Sequence, residues 1–113
     1  MTGSTSPTRY SDARHPYSVA RSAGELVFIS GQLGVAADEI VGGGIRSETR
    51  QAFANLEAVL AGAGLGLRNI VKITVYLASM SDRLAMDEIY LESLPQPLPA
   101  CTCFAVGELP FGA

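Results

Sequence analysis

The sequence predicts a single α+β domain with two helices packed on one face of a mixed sheet. Its 113 residues leave room for one core of modest size. Runs of alternating apolar residues, typical of strands, are interrupted by two runs with apolar residues three or four apart, typical of helices. The predicted order is strand, strand, turn, helix, strand, helix, strand. The sheet face without helices favours self-association into a closed ring.

The domain begins with a predicted hairpin. Residues 1–15 are polar and are expected to form a flexible segment, so that the domain comprises residues 16–113. Residues 16–22 alternate like a strand, and residues 26–31 carry β-branched and aromatic side chains. Gly24 lies between the two runs and suits the turn of a hairpin.

The first helix follows a turn-rich segment with a short predicted strand at residues 39–41. It begins near Ile45 and ends at Gly64 or Gly66, because glycine commonly ends a helix. The apolar residues of this run form one narrow stripe that would lie on the sheet. They are Phe53, Leu56, Val59, Leu60 and Ala63.

A central strand, a second helix and a last strand complete the predicted domain. Residues 69–78 alternate and have one fully apolar face, as a central strand does. Residues 81–94 predict a helix, and the prolines that follow prohibit its continuation. Its inward positions are Ala85, Met86, Ile89, Tyr90 and Leu94. Residues 100–106 return to a strand.

Composition and charge argue against several classes of partner. The net charge is -3 and Lys72 is the single lysine, so the chain has no basic face for nucleic acid. No eighteen apolar residues run together and no secretory leader is evident, which argues against a membrane partner and for a cytoplasmic location. A ribonuclease and a holdase that acts through modified lysines are therefore disfavoured.

Cys101 and Cys103 lie two residues apart in the last predicted strand. Their side chains would leave the same face of the strand about 7 Å apart at the Cα atoms, which is too far for an unstrained mutual disulfide. Two cysteines and one histidine are also a poor ligand set for zinc. We therefore expect two reduced thiols, no metal and no cofactor.

Five blocks of the sequence, in order, resemble one family. They read HPYSVA, LVFISGQLG, TRQAFANLEAVLAGAGLGLRNIVKITVYL, MDEIYLESL and PLPACTCFAVGELPFGA. This pattern resembles the Rid family, the reactive intermediate deaminases, also called the YjgF or L-PSP family. The resemblance implies a chorismate-mutase-like fold, a homotrimer, and a small-molecule ligand in each cleft between subunits.

The sequence departs from the family pattern at the predicted pocket. Deaminating relatives carry an arginine where this chain has Cys101, and that arginine is understood to hold the carboxylate of an imino acid. A thiol offers one weak donor in place of a bidentate fork, at a cost of about 2–5 kcal/mol in binding. Asp87 replaces an asparagine. A further strand that carries a glutamate in relatives is expected to be absent or to lie beyond the given sequence.

The resemblance also assigns the site residues. The predicted catalytic residues are Cys101, Tyr17 and Ser30, and the predicted ligand-binding residues are Gly31, Asp87, Ala100 and Cys103. Three roles remain open for Cys101: a nucleophile, a general acid, or a small apolar residue that fills space. Strand alternation with the resemblance predicts that Cys101 and Cys103 face the cleft while Phe104 and Val106 face the core.

Two functions follow from these assignments. The first is an enzyme that acts on an imine, an enamine or a similar electrophile without the usual clamped carboxylate, such as one in a biosynthetic pathway. The second is a non-catalytic trimeric protein that binds a metabolite in the same clefts. Turnover distinguishes the two, because a binding protein would be saturated by its ligand without forming product.

Overall fold

The computed structural model describes residues 16–113, so the predicted flexible segment at residues 1–15 lies outside the described residues. The element order confirms the predicted α+β class. The strands are β1 (Ala20–Ala23), β2 (Leu26–Ile29), β3 (Val35–Ala36), β4 (Glu39–Ile40), β5 (Lys72–Leu77) and β6 (Ala100–Ala105), and the helices are α1 (Ile45–Gly62) and α2 (Arg83–Ser93). The two-residue strand β3 was not predicted, because its pattern is too short to have a period.

The strands pair as three two-stranded ladders. β1 and β2 form the predicted antiparallel hairpin, β3 and β4 form a second, very short one, and β5 pairs with β6 in parallel. Both antiparallel and parallel pairing thus occur, as expected for a mixed sheet. Within residues 16–113, however, no backbone ladder joins the three pairs to one another.

Helix α2 is the crossover between β5 and β6. Parallel neighbours cannot be joined by a tight turn, so the chain has to cross one face of the pair before it returns. On that face β5 presents Ile73, Val75 and Leu77, which pack with the buried residues of α2. The centre of this core consists of Leu77, Met86, Tyr90 and Leu94. Of the five predicted inward positions, Met86, Ile89, Tyr90 and Leu94 are buried and Ala85 is half-buried.

Helix α1 packs beside α2 and runs in the same direction. Arg46 pairs with Glu88 at 2.6 Å, and Arg50 pairs with Glu92 at 3.5 Å, so a step of four residues along one helix matches a step of four along the other. These pairs are more than half exposed and contribute about 0–1 kcal/mol each. The two helices are held together mainly by apolar contacts. In one of these the ring of Phe53 packs edge-on against that of Tyr90, with the ring centroids 5.8 Å apart.

The face of β6 that packs against the core is the opposite of the one predicted. Phe104 is 44% exposed and stacks edge-on against Tyr76 on the side away from the helices, whereas Cys103 packs against the core. The register explains this difference, because Val75 lies opposite Cys103 and Tyr76 lies opposite Phe104. Paired residues share a face, so the apolar face of β5 decides which face of β6 is covered.

A buried amide ties the segment after the hairpin to α1. The Nδ2 atom of Asn55 donates to the carbonyl oxygens of Leu33 at 2.9 Å and Val35 at 3.0 Å. Gly34, between these two residues, lies against the main chain of Glu48, where an added Cβ would come within 2.5 Å of the Cα atom. The loop can approach the helix this closely only with glycine at position 34.

The approach of Gly34 to α1 predicts a loss of stability in Gly34→Ala. The methyl group collides with helix backbone, which cannot rotate away, so we expect the free energy of unfolding to fall by about 1–3 kcal/mol. Urea unfolding followed by circular dichroism measures this change. Gly42→Ala is the matched control, because a Cβ at Gly42 meets nothing within 4 Å. Equal stability of the two variants would contradict the close approach.

Candidate functional site

The two cysteines lie on β6, where the strand borders the hydrophobic core. Cys101 is exposed, Cys103 is half-buried, and both are free thiols, as predicted. Their neighbours across the ladder are Ile73 and Val75, so the two sulfur atoms lie on the face that α2 crosses. The thiols therefore lie at an edge of the domain where one side is apolar and the other is open to solvent.

Helix α2 places a charged pair next to these thiols. The Nε atom of Arg83 donates to both carboxylate oxygens of Asp87, at 3.1 and 3.2 Å. The hydrogen bond to Asp87 is the main reason that the pKa of Arg83 is raised, and the nearby Cys103 and Cys101 contribute in the same direction. The predicted site residue Asp87 is thus engaged with a cation that the sequence did not assign to the site.

The Cys103 thiol is held in its neutral form by its surroundings. Burial raises the pKa of Cys103, and the nearby Cys101 and Asp87 raise it further, whereas the Arg83 guanidinium acts in the opposite direction. Because the nucleophile is the thiolate, these surroundings disfavour Cys103 as an activated nucleophile at neutral pH.

Tyr90 contributes a buried hydroxyl beside the same thiols. The residue is only 8% exposed, and its hydroxyl has no hydrogen-bond partner within residues 16–113. Burial, followed by the nearby Cys101, raises the pKa of Tyr90 to about 12, although the sulfur does not meet the geometry of a hydrogen bond. The group is therefore a protonated donor at physiological pH, and an unpaired buried hydroxyl costs about 1–3 kcal/mol.

Three other predicted residues cluster at the open end of the β1–β2 hairpin. Ser30 follows β2, donates its hydroxyl proton to the carbonyl oxygen of Ser18 at 2.6 Å, and donates its main-chain N–H to that of Val19 at 2.9 Å. Tyr17 is 44% exposed, and partial burial raises its pKa. A Cβ added at Gly31 would meet nothing within 4 Å, so there is open space beside it.

The structure thus divides the predicted site residues into two groups. Asp87, Ala100, Cys101 and Cys103 belong to α2 and β6, whereas Tyr17, Ser30 and Gly31 belong to the hairpin, which is a separate ladder.

Sequence reasoning missed the parts that Arg83 and Tyr90 take at this edge. Their signal was the spacing of Arg83, Asp87 and Tyr90 at i, i+4 and i+7, which puts three polar groups on one face of a helix. Tyr90 was assigned to the core alone, because its ring fits there.

These features describe a small α+β domain in which a thiol pair and a charged pair lie together beside a parallel strand pair. A sequence model of the family described as Endoribonuclease L-PSP matches residues 8–113. The chain therefore belongs to this family, which is the Rid family that the sequence resembles.

Curated relatives and solved structures agree with this assignment. The Schizosaccharomyces pombe protein mmf1, named as mitochondrial, is 41% identical over 95 residues, covering 84% of this chain and 59% of its own length. The mouse 2-iminobutanoate/2-iminopropanoate deaminase is 38% identical over 110 residues, covering 96% of this chain and 82% of its own. The crystal structure of RidA from an Antarctic Psychrobacter species has a TM-score of 0.86 at 34% identity, covering 96% of this chain and 85% of that one.

The surroundings of Cys103 predict slow alkylation. In Cys101→Ser, we expect iodoacetamide to modify Cys103 more slowly in the folded protein than in urea, because a raised pKa leaves less thiolate at a given pH. The midpoint of the pH–rate profile should accordingly lie at higher pH in the folded protein. Mass spectrometry of timed samples measures both quantities. Equal rates and equal midpoints in the folded and unfolded chain would contradict the assigned environment.

Proposed function

We propose that the protein hydrolyses the C=N bond of an imine, or of an enamine through its imine tautomer, and releases ammonia. The observation that carries the proposal is the gathering of Tyr90, Cys101 and Cys103 at one edge of β6, in a chain that belongs to the Rid family. The mouse relative named as an iminobutanoate and iminopropanoate deaminase supports the same chemistry.

The reaction requires a water molecule and oriented polar groups. Water adds to the imine carbon while the nitrogen gains a proton, and the resulting carbinolamine collapses to a carbonyl compound and ammonia. The side chains of Tyr17 and Ser30, brought from the hairpin of a neighbouring subunit, would orient the polar ends of the substrate. Cys101 would exchange a proton with the substrate nitrogen or line the site beside it.

The main chain of β6 supplies further donors. Ala100 and Val106 direct their N–H groups towards β5, where they donate to Val71 and Leu77. Since hydrogen-bonding direction alternates along a strand, the N–H groups of Cys101 and Cys103 point to the opposite edge. No strand within residues 16–113 pairs with that edge, so these donors are available to hold an oxygen of the product or of the carbinolamine.

The replacement at position 101 sets the finer substrate preference that we propose. Without a guanidinium on β6, the site lacks the clamp by which deaminating relatives are understood to hold an imino acid. The preferred substrate is then an imine or enamine that is not held through an α-carboxylate from β6. We also propose a cytoplasmic location, which rests on the sequence alone. The relatives do not support it, because the S. pombe protein is named as mitochondrial.

Cys101→Arg tests the function and the preference together. We expect the parent protein to accelerate ammonia release from 2-iminobutanoate, generated by an amino-acid oxidase, only weakly. Cys101→Arg should raise kcat/KM for this substrate by about 30-fold or more, because its guanidinium adds a charged pair with the carboxylate from β6. The rate of semicarbazide trapping of the remaining imine measures hydrolysis. Saturable binding of substrate without turnover in both proteins would overturn the proposal in favour of a metabolite-binding protein.

We propose that the protein is a homotrimer in which the cleft between subunits joins the two groups of site residues. On the face away from the helices, the neighbouring rings of Tyr76 and Phe104 are 51% and 44% exposed, and adjacent exposed apolar side chains favour association. Burial of this face against neighbouring copies would remove both aromatic rings from water.

Phe104→Glu should therefore dissociate the assembly. A charge in the apolar interface costs several kcal/mol, so we expect the mass from light scattering to fall from three chains to one. Leu91→Glu is the matched control, because Leu91 is 60% exposed on α2. A parent protein that is already monomeric would contradict the proposed trimer.

A further inference from the structure

We infer that Arg83, Asp87 and Tyr90 form an anion-binding subsite on α2, which holds a carboxylate of the substrate beside Cys101 and Cys103. The inference rests on the proposed function and deepens it, because it names the charged group that the substrate carries and the element that binds it. The cation absent from β6 at position 101 is supplied from the crossover helix.

The three residues share one face of the helix. Positions 83, 87 and 90 are spaced at i, i+4 and i+7, so their side chains lie above one another along α2. Tyr90 and Cys103 both pack in the core between α2 and the strands. This face of the helix is thus the one that crosses β6, and Arg83 lies at its open end, near both thiols.

Arg83 has unused donors in a fixed orientation. Its Nε atom is bonded to Asp87, while its two terminal nitrogens have no partner among the described residues. Asp87 therefore orients the guanidinium and leaves its terminal N–H groups for a planar, bidentate acceptor such as a carboxylate. The side chains of Arg83 and Asp87 are 42% and 39% exposed, so a ligand can reach them.

Tyr90 is the independent observation that indicates a ligand. Its hydroxyl is buried and unpaired among residues 16–113, which is unfavourable and needs an explanation. A carboxylate accepts hydrogen bonds and donates none, so it matches a set made of Arg83 and a protonated tyrosine. An exposed i,i+4 ion pair contributes only about 0.3–0.5 kcal/mol, which gives little structural reason for the Arg83 and Asp87 pair alone.

The test measures binding of one probe, 2-oxobutanoate, the keto acid formed when 2-iminobutanoate is hydrolysed. Its neutral methyl ester has the same carbon skeleton without the charge. We expect Arg83→Met to weaken binding of the keto acid about tenfold or more by calorimetry and to leave ester binding unchanged. Arg83→Lys should recover part of the affinity, because it keeps the charge and loses the fork.

Arg46→Met is the matched control. Arg46 is also paired with a carboxylate between the helices, but it lies on the outer side. The substitution Arg46→Met removes the same charge from the protein but leaves the proposed subsite unchanged, so we expect no change in keto acid binding. An equal loss in Arg46→Met and Arg83→Met would overturn the inference, since the effect would then come from net charge.

Two further variants separate a binding role from a structural one. Tyr90→Phe keeps the ring against Phe53 and removes the unpaired hydroxyl, so we expect an equal or higher Tm with several-fold weaker keto acid binding. Asp87→Asn keeps an oxygen that can accept from the Nε atom of Arg83 and removes a like charge beside the bound carboxylate, so keto acid binding should strengthen several-fold. Unchanged affinity in both variants would overturn the subsite.

The failure of the inference and that of the proposed function give different results. If ammonia is released from 2-iminobutanoate but Arg83→Met affects keto acid and ester equally, the function holds and the subsite is wrong. If the keto acid binds through Arg83 and no imine is hydrolysed, the subsite holds and the proposed function is wrong.

Discussion

The parallel pairing of β5 and β6 is the constraint on which the rest of the domain depends. Parallel strands require a crossover, and α2 is the element that makes it. Once the helix crosses, its apolar residues have to cover the face that carries Val75 and Cys103. The same crossing brings Asp87 and Tyr90 over the thiols, so the core and the candidate site are positioned by a single connection.

The candidate site accordingly combines buried polar groups with a partly exposed ion pair. The ring and the hydroxyl of Tyr90 are both buried, and burial is the main reason that the pKa of this hydroxyl is raised to about 12, so the hydroxyl stays protonated. Cys103 is influenced by the same burial and by the opposing charge of Arg83. The surroundings of this edge therefore favour neutral donors beside one oriented cation, which suits binding and proton exchange better than attack by a thiolate.

Most of the fold could be predicted from the sequence, because the patterns of α2 and β5 are strong. The inward positions Met86, Ile89 and Tyr90 are buried as their spacing predicts. The face of β6 could not be obtained in this way, since ACTCFA has no clear apolar side and its register with β5 decides the outcome. The role of Arg83 was hidden for a similar reason: proximity to Cys103 is a property of the crossover, and no local pattern encodes it.

The amide of Asn55 has a consequence for the hairpin side of the site. It holds the carbonyl groups on both sides of Gly34, which follows Gly31 by three residues. Helix α1 as well as β2 therefore restrains the position of Gly31, a predicted site residue. In evolutionary terms, a substitution in α1 can then change the position of Gly31 without changing Gly31 itself. Position 55 is where such a change would act, because its amide is the contact between α1 and this segment.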